Sequence, residues 1–140
     1  MKFLSLLALP FAATAVNAIA ASVAYDTVYD SAAQSTLVTS CSDGINGLYT
    51  KGYPTLGSLP TFPRVGAAST VAGWNSPNCG KCYRITWNGK SINVIAVDHA
   101  ASGFVLSRAA MDQLTGGLAT QLGRINADYT EVPASNCGMK

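Results

Sequence analysis

Charge is scarce in this chain. Seven Asp/Glu and nine Lys/Arg among 140 residues make 11%, where globular domains average about 25%. A net charge of +2 is too small for a protein built to hold a phosphate backbone, which argues against a nucleic-acid partner. Disorder fits no better, because 49% hydrophobic residues with so few charges is the reverse of its signature. Histidine is nearly absent. His99 is the single one, its neighbour Asp98 points the other way in an extended chain, and no G-x-S-x-G occurs, so a Ser-His-Asp triad is poorly served. One histidine is also too few for the common catalytic zinc sites. No metal and no cofactor is expected, and the length allows one domain.

Long apolar runs are missing except at the start. Met1 and Lys2 lead into the apolar stretch Phe3–Val16, followed by the small-residue sites Val16-Asn17-Ala18 or Ala18-Ile19-Ala20. That is the layout of a secretory signal. Pro10 interrupts the run, Asn17 closes it and no stop-transfer cluster follows, which disfavours a membrane span. The expected division is a leader over residues 1–18, with cleavage after Ala20 as the alternative, and one domain over 19–140. Without residues 1–18 the chain has 122 residues and a net charge of +1. Asn-x-Ser/Thr is absent, so Asn-linked sugars are not expected.

Cysteine is present four times, as Cys41, Cys79, Cys82 and Cys137. In a cytosolic chain Cys79-Gly80-Lys81-Cys82 would point to redox chemistry or half of a zinc site. In an exported chain an even set points to structural disulfides. Cys79 and Cys82 are expected to take separate partners. Which of them pairs with Cys41 stays open on the sequence alone, and each long loop so closed is worth roughly 3–4 kcal/mol in the chain-entropy model.

Val23–Asp30 alternates β-branched or aromatic with small or polar residues and predicts a strand; Ser35–Ser40 predicts another. Residues 44–63, rich in Gly, Pro, Asn and Ser, predict an extended loop in which Pro60 and Pro63 hold Phe62. Cys82–Trp87, the turn Asn88-Gly89 and the apolar run Ser91–Val97 predict a hairpin. Arg124–Val132 predicts a half-buried strand. Ser107 is a good N-cap for a helix stopped by Gly116-Gly117, and a short second helix fits Leu118–Leu122. Many short strands and one or two helices make a compact β-rich barrel.

Asp98 stands out among the acids. It follows a buried-looking strand and opens onto Ala100-Ala101-Ser102-Gly103, a suitable place for an acid/base group, a sugar-hydroxyl acceptor or a plain turn carboxylate. Asp43-Gly44-Ile45-Asn46-Gly47 sets two polar side chains beside glycines, where turn chemistry is the competing role. Tyr49, Tyr53 and Trp74 lie in loop-like sequence and offer ring faces, although most aromatics of so small a domain must fill its core.

Val23–Asp30, Cys41–Leu48, Cys79–Tyr83, Gly89–Ala100, Gly103–Leu114 and Val132–Cys137 together resemble the cerato-platanins, small secreted fungal proteins, with the cysteines in register across the whole mature chain. The resemblance implies a mostly β (α+β) fold, a six-stranded double-psi β-barrel like that of expansins, barwin-type proteins and a class of endoglucanases. It implies the pairs Cys41–Cys79 and Cys82–Cys137. It also raises Asp43, Asn46 and Asp98 as groove residues, with Tyr49, Tyr53 and Ser102 beside them. Where related barrels carry an F-D-L-S stretch with a hydrolytic acid, this chain has Phe104-Val105-Leu106-Ser107. Valine neither donates a proton nor attacks, so hydrolysis is not expected. The function implied is a secreted, non-catalytic binder of chitin or N-acetylglucosamine oligomers, with cellulose as a second polymer. Expansin-like loosening and elicitor-type action through a plant receptor go with it, at the cell exterior or the fungal cell wall. The alternatives are a surface-active, self-associating wall protein, or a weak glycan hydrolase using Asp98.

Overall fold

Six strands close into a barrel in the computed structural model, which describes residues 17–140. The strands are β1 (Ile19–Tyr25), β2 (Val65–Ala68), β3 (Cys82–Trp87), β4 (Lys90–His99), β5 (Phe104–Leu106) and β6 (Arg124–Val132). Two helices, α1 (Arg108–Thr115) and α2 (Ala119–Leu122), lie between β5 and β6. The order around the barrel is β1-β5-β2-β4-β3-β6. β1 pairs with β5 and β2 with β4 in parallel, and every other neighbour is antiparallel. This is the six-stranded barrel expected. The leader expected over residues 1–18 falls, but for Asn17 and Ala18, outside the described residues.

Local chemistry places the long elements. Asn88 (φ 51°) and Gly89 (φ 78°) both take positive φ, as the two-residue turn between β3 and β4 demands. At α1 the Ser107 hydroxyl accepts from the Ala110 N–H at 3.0 Å, and the Asp30 carboxylate accepts from Arg108 and Ala109 at 2.8 and 3.0 Å. Four orphan donors at a helix start call for such acceptors. Gly116, in the left-handed region, ends the helix. Along β6, Ile125 and Ala127 are buried between the exposed Arg124, Asn126 and Asp128.

The core runs through the barrel. Val23, Val65, Ile85, Ile95, Phe104 and Leu106 are fully or almost fully buried. Tyr83, Phe104 and Tyr129 meet edge to face at centroid distances of 4.9 to 5.8 Å, the arrangement ring quadrupoles favour. Val94–Val97 is buried without alternation because α1 covers the outer side of β4. Cys41–Cys79 and Cys82–Cys137 are the disulfides, so both cysteines of the C-x-x-C are bridged and the redox and zinc alternatives close.

Several expectations are corrected. The first strand does not reach Asp30; it stops at Tyr25, and Thr27–Asp30 is a 3-10 turn in which the Asp26 carboxylate accepts from the Val28 N–H at 2.9 Å. Ser35–Ser40 is no strand either, since the Ser35 hydroxyl takes the Leu37 N–H and folds Thr36–Val38 into another 3-10 turn. In both, a short polar side chain outbids the sheet for a backbone donor. β2 and β5, with four and three residues, are too short for any periodicity to show. β4 extends two residues beyond Val97, so Asp98 and His99 belong to the strand rather than the loop after it.

Candidate functional site

Asp98 ties three segments together. One carboxylate oxygen accepts the Tyr29 hydroxyl at 2.8 Å; the other accepts the backbone N–H of Ser40 and of His99, each at 2.9 Å. Burial, and then the hydrogen bond and charge of Asp98, push the Tyr29 hydroxyl well above the usual tyrosine range. His99 Nδ1 lies 2.7 Å from the Val71 carbonyl. A carbonyl only accepts, so Nδ1 carries the proton and the ring is held away from Asp98. The adjacent pair forms no catalytic dyad.

Ser40 links this bracket to a second one. Its N–H serves Asp98 while its carbonyl accepts from the Asn75 N–H at 3.4 Å. Asn75 in turn holds Asn46 twice: its side-chain oxygen accepts the Asn46 N–H at 2.9 Å, and its carbonyl accepts the Asn46 side-chain amide at 3.0 Å. Beside them the Trp74 indole N–H donates to Asp43 Oδ1 at 2.7 Å. That bond holds the fully exposed Asp43 carboxyl below its ordinary range. The indole is 63% exposed although its only polar atom is satisfied. Gly44 (φ 82°) lets the loop pass so near that a Cβ there would strike the Asn75 side-chain oxygen. Asp43, Asn46 and Asp98 thus share one end of the barrel, joined through Ser40 and Asn75.

The other candidates distribute differently. Tyr49 is 46% exposed on the turn after Leu48, with its backbone N–H on the Ser42 carbonyl. Tyr53 is half-buried and lines a concavity of about 410 Å³ with Lys51, Gly80, Ala134, Met139 and Lys140. The Ser102 hydroxyl lies 3.5 Å from that of Ser22 on β1 and makes no hydrogen bond to the other candidates among the described residues. Asn75 was not singled out in the sequence, and its one signal is the polar run Trp74-Asn75-Ser76-Pro77-Asn78. Its positive φ of 59° is a conformation asparagine tolerates better than most residues. Val105 sits on β5 opposite Ala24 and Ala67. Among the described residues no three His, Cys, Asp or Glu side chains group to hold a metal.

These features define a class, that of small disulfide-braced double-psi barrels with a hydrogen-bonded loop cluster at one end. A family model described as cerato-platanin matches residues 21–139, and the chain belongs to the cerato-platanin family. It is 50% identical over 131 residues to the heat-stable 19 kDa antigen of Coccidioides posadasii, covering 94% of this chain and 90% of that protein. It is 52% identical over 121 residues to allergen Asp f 15 of Aspergillus fumigatus, covering 86% and 79%. The crystal structure of cerato-platanin 3 from M. perniciosa superposes with a TM-score of 0.83 at 50% identity, covering 86% of this chain and all of that one. No helix among the described residues is long and apolar enough to cross a membrane.

Proposed function

We propose that this chain is a secreted, non-catalytic carbohydrate-binding protein that takes N-acetylglucosamine oligomers, the repeat of chitin, on the Asp43–Asn46 and Trp74–Asn75 face. The observation that carries the reading is the exposed Trp74 indole, oriented by Asp43. A ring held by its N–H presents an apolar face without the entropy cost of ordering it on binding. Around it, among the described residues, Asp43 Oδ2 and the Asn46 side-chain oxygen accept no hydrogen bond from another residue, which leaves both open to sugar hydroxyl or acetamide N–H donors. Low charge suits a neutral polymer. Tyr49, exposed on the turn after Leu48, offers a further ring face, and Asp98 acts by holding Ser40; among the described residues Tyr53 and Ser102 share no hydrogen bond with this face.

The non-catalytic part rests on Val105 and on Asp98. Glycoside hydrolysis needs two carboxylic groups with separate duties, and Asp98 already accepts three donors. Binding without cleavage is the expansin-like mode, in which packed chains are separated rather than cut. Cellulose is the second polymer, and elicitor-type action on plants through a receptor is the role the family likeness supplies. Relatives named as an antigen and an allergen fit a protein that works outside the cell.

A second reading has its own support. Ile45 is 80% exposed on the loop that carries Asp43 and Asn46, and Val38 is 65% exposed two residues before Ser40, apolar side chains able to drive self-association at interfaces.

Calorimetric titration with chitin oligomers tests the first reading. Trp74→Ala is expected to lose about tenfold or more in affinity, the equivalent of 1.4 kcal/mol, and wild-type protein is expected to release no reducing sugar from chitin or cellulose. Equal affinity for Asp98→Ala and wild type would remove Asp98 from the site. New reducing ends that vanish in Asp98→Asn would establish the hydrolase instead.

A further inference from the structure

At the opposite end of β4 from Asp98 lies a concavity of about 410 Å³ lined by Arg64, Lys90, Ser91, Ile92, Asn93 and Gln113. From Asn93 to Asp98 is five residues, about 16 Å of strand. The lining carries two cations and no carboxylate. Among the described residues neither cation has a carboxylate within 4 Å; the one ion pair there is Lys81–Glu131. Arg64 is half-buried and its Nε donates to the Asn93 carbonyl at 3.0 Å. That bond fixes the plane of the guanidinium, while its four terminal N–H groups make no hydrogen bond to the described protein. A fork so oriented, with its donors unspent, matches a planar or tetrahedral oxyanion bidentately. Lys90 adds a mobile charge at the rim, and Gln113 and the Asn93 side-chain oxygen add neutral donors and acceptors.

We propose that this concavity is a second binding site, for an anionic saccharide: a ring whose carboxylate or sulfate ester sits on Arg64 and Lys90 while its hydroxyls reach Ser91, Asn93 and Gln113. The volume falls in the range of small-ligand sites, about 300–1,000 Å³, and the polar, open lining suits a hydroxylated ligand better than an apolar one. Both charges are needed. A neutral chitin oligomer offers neither, so this site and the Trp74 face select different sugars.

The test titrates the secreted protein with trigalacturonate, its fully methyl-esterified form, a sulfated disaccharide and inorganic sulfate, at low and at physiological salt. Lys90→Gln and Arg64→Gln are compared with wild type. Trigalacturonate or the sulfated disaccharide is expected to bind saturably, more weakly as salt rises, and whichever of the two binds identifies the anionic group. Loss of Lys90 is expected to lower that affinity several-fold and loss of Arg64 about tenfold or more, with chitin-oligomer affinity unchanged in both. Lys90 is on an exposed hairpin, so its variant decides the matter even if Arg64→Gln fails to fold. Equal binding of the methyl ester, sulfate binding as tight as either sugar, an affinity indifferent to Lys90→Gln, or no binding at all would overturn the proposal.

Discussion

Tyr29 and Asp43 show how single side chains at this end of the barrel set its response to pH. The folded protein holds the Tyr29 hydroxyl protonated through burial and its bond to Asp98. Its folded pKa lies above the unfolded value, so its contribution is complete below about pH 10 and is lost as pH rises beyond that. Tyr29→Phe should therefore flatten the alkaline limb of a stability-versus-pH curve followed by circular dichroism. At neutral pH the same variant should cost about 1–3 kcal/mol, because a hydrogen bond to a charged acceptor goes. Asp43 behaves in the opposite sense. Its folded pKa is depressed by the Trp74 N–H, so the carboxylate–indole bond persists at and above the ordinary carboxylate range near pH 4 and opens only below it. The tryptophan fluorescence of the wild type should show an acid step that Asp43→Asn lacks. From the residues alone Asp43-Gly44-Ile45-Asn46-Gly47 reads as a turn, and only the family resemblance raises Asp43 and Asn46 as candidates. Their partners Trp74 and Asn75 stand some thirty positions away, and nothing local announces that they meet.

At the scale of elements, close approach decides more than propensity. Gly66 on β2 passes so near β5 that a Cβ would strike the Val105 carbonyl and the Leu106 Cα. Gly66→Ala should lower stability by about 1–3 kcal/mol or prevent folding, measured by urea unfolding. Asp30 caps α1 from a turn 78 positions away, and Asp30→Ala should cost about 1 kcal/mol in the same assay. The hairpin, β6 and α1 could be read from the chain because each carries its own signal: Asn88-Gly89, strict alternation, and the Ser107 and Gly116 caps. β2 and β5 could not, since Val65-Gly66-Ala67-Ala68 and Phe104-Val105-Leu106 are defined by the neighbours they pair with. Thr27–Asp30 and Thr36–Val38 misled for a physical reason. Their β-branched residues suit a sheet, yet Asp26 and Ser35 bend the backbone by accepting an N–H two residues ahead.

The whole molecule is held by closure and by two cross-links. Cys41–Cys79 and Cys82–Cys137 span 38 and 55 residues, and each should stabilise by about 4 kcal/mol in the chain-entropy model. Replacing either pair by alanine should lower Tm by roughly 10–20 °C in calorimetry. That the barrel has six strands was legible only through family likeness, and their order was not legible at all, because no spacing in the chain says that β1 lies between β5 and β6. The disulfide partners came through the same likeness. The closed barrel brings the 40–46 and 71–76 loops together through the Ser40–Asn75 and Asn46–Asn75 hydrogen bonds, and these hold the proposed binding face in shape.

On the reading proposed, this face, with Trp74 at its centre, takes neutral sugar oligomers. The chain has two tryptophans, so its NMR spectrum carries two indole N–H signals, and the one missing in Trp74→Phe belongs to Trp74. Titrating the protein with a chitin oligomer reads that signal directly. The Trp74 indole resonance is expected to shift saturably together with the backbone amides of Asp43–Asn46, while the Trp87 resonance stays in place. An unmoved Trp74 signal at ligand excess, or shifts confined to another part of the barrel, would contradict that reading.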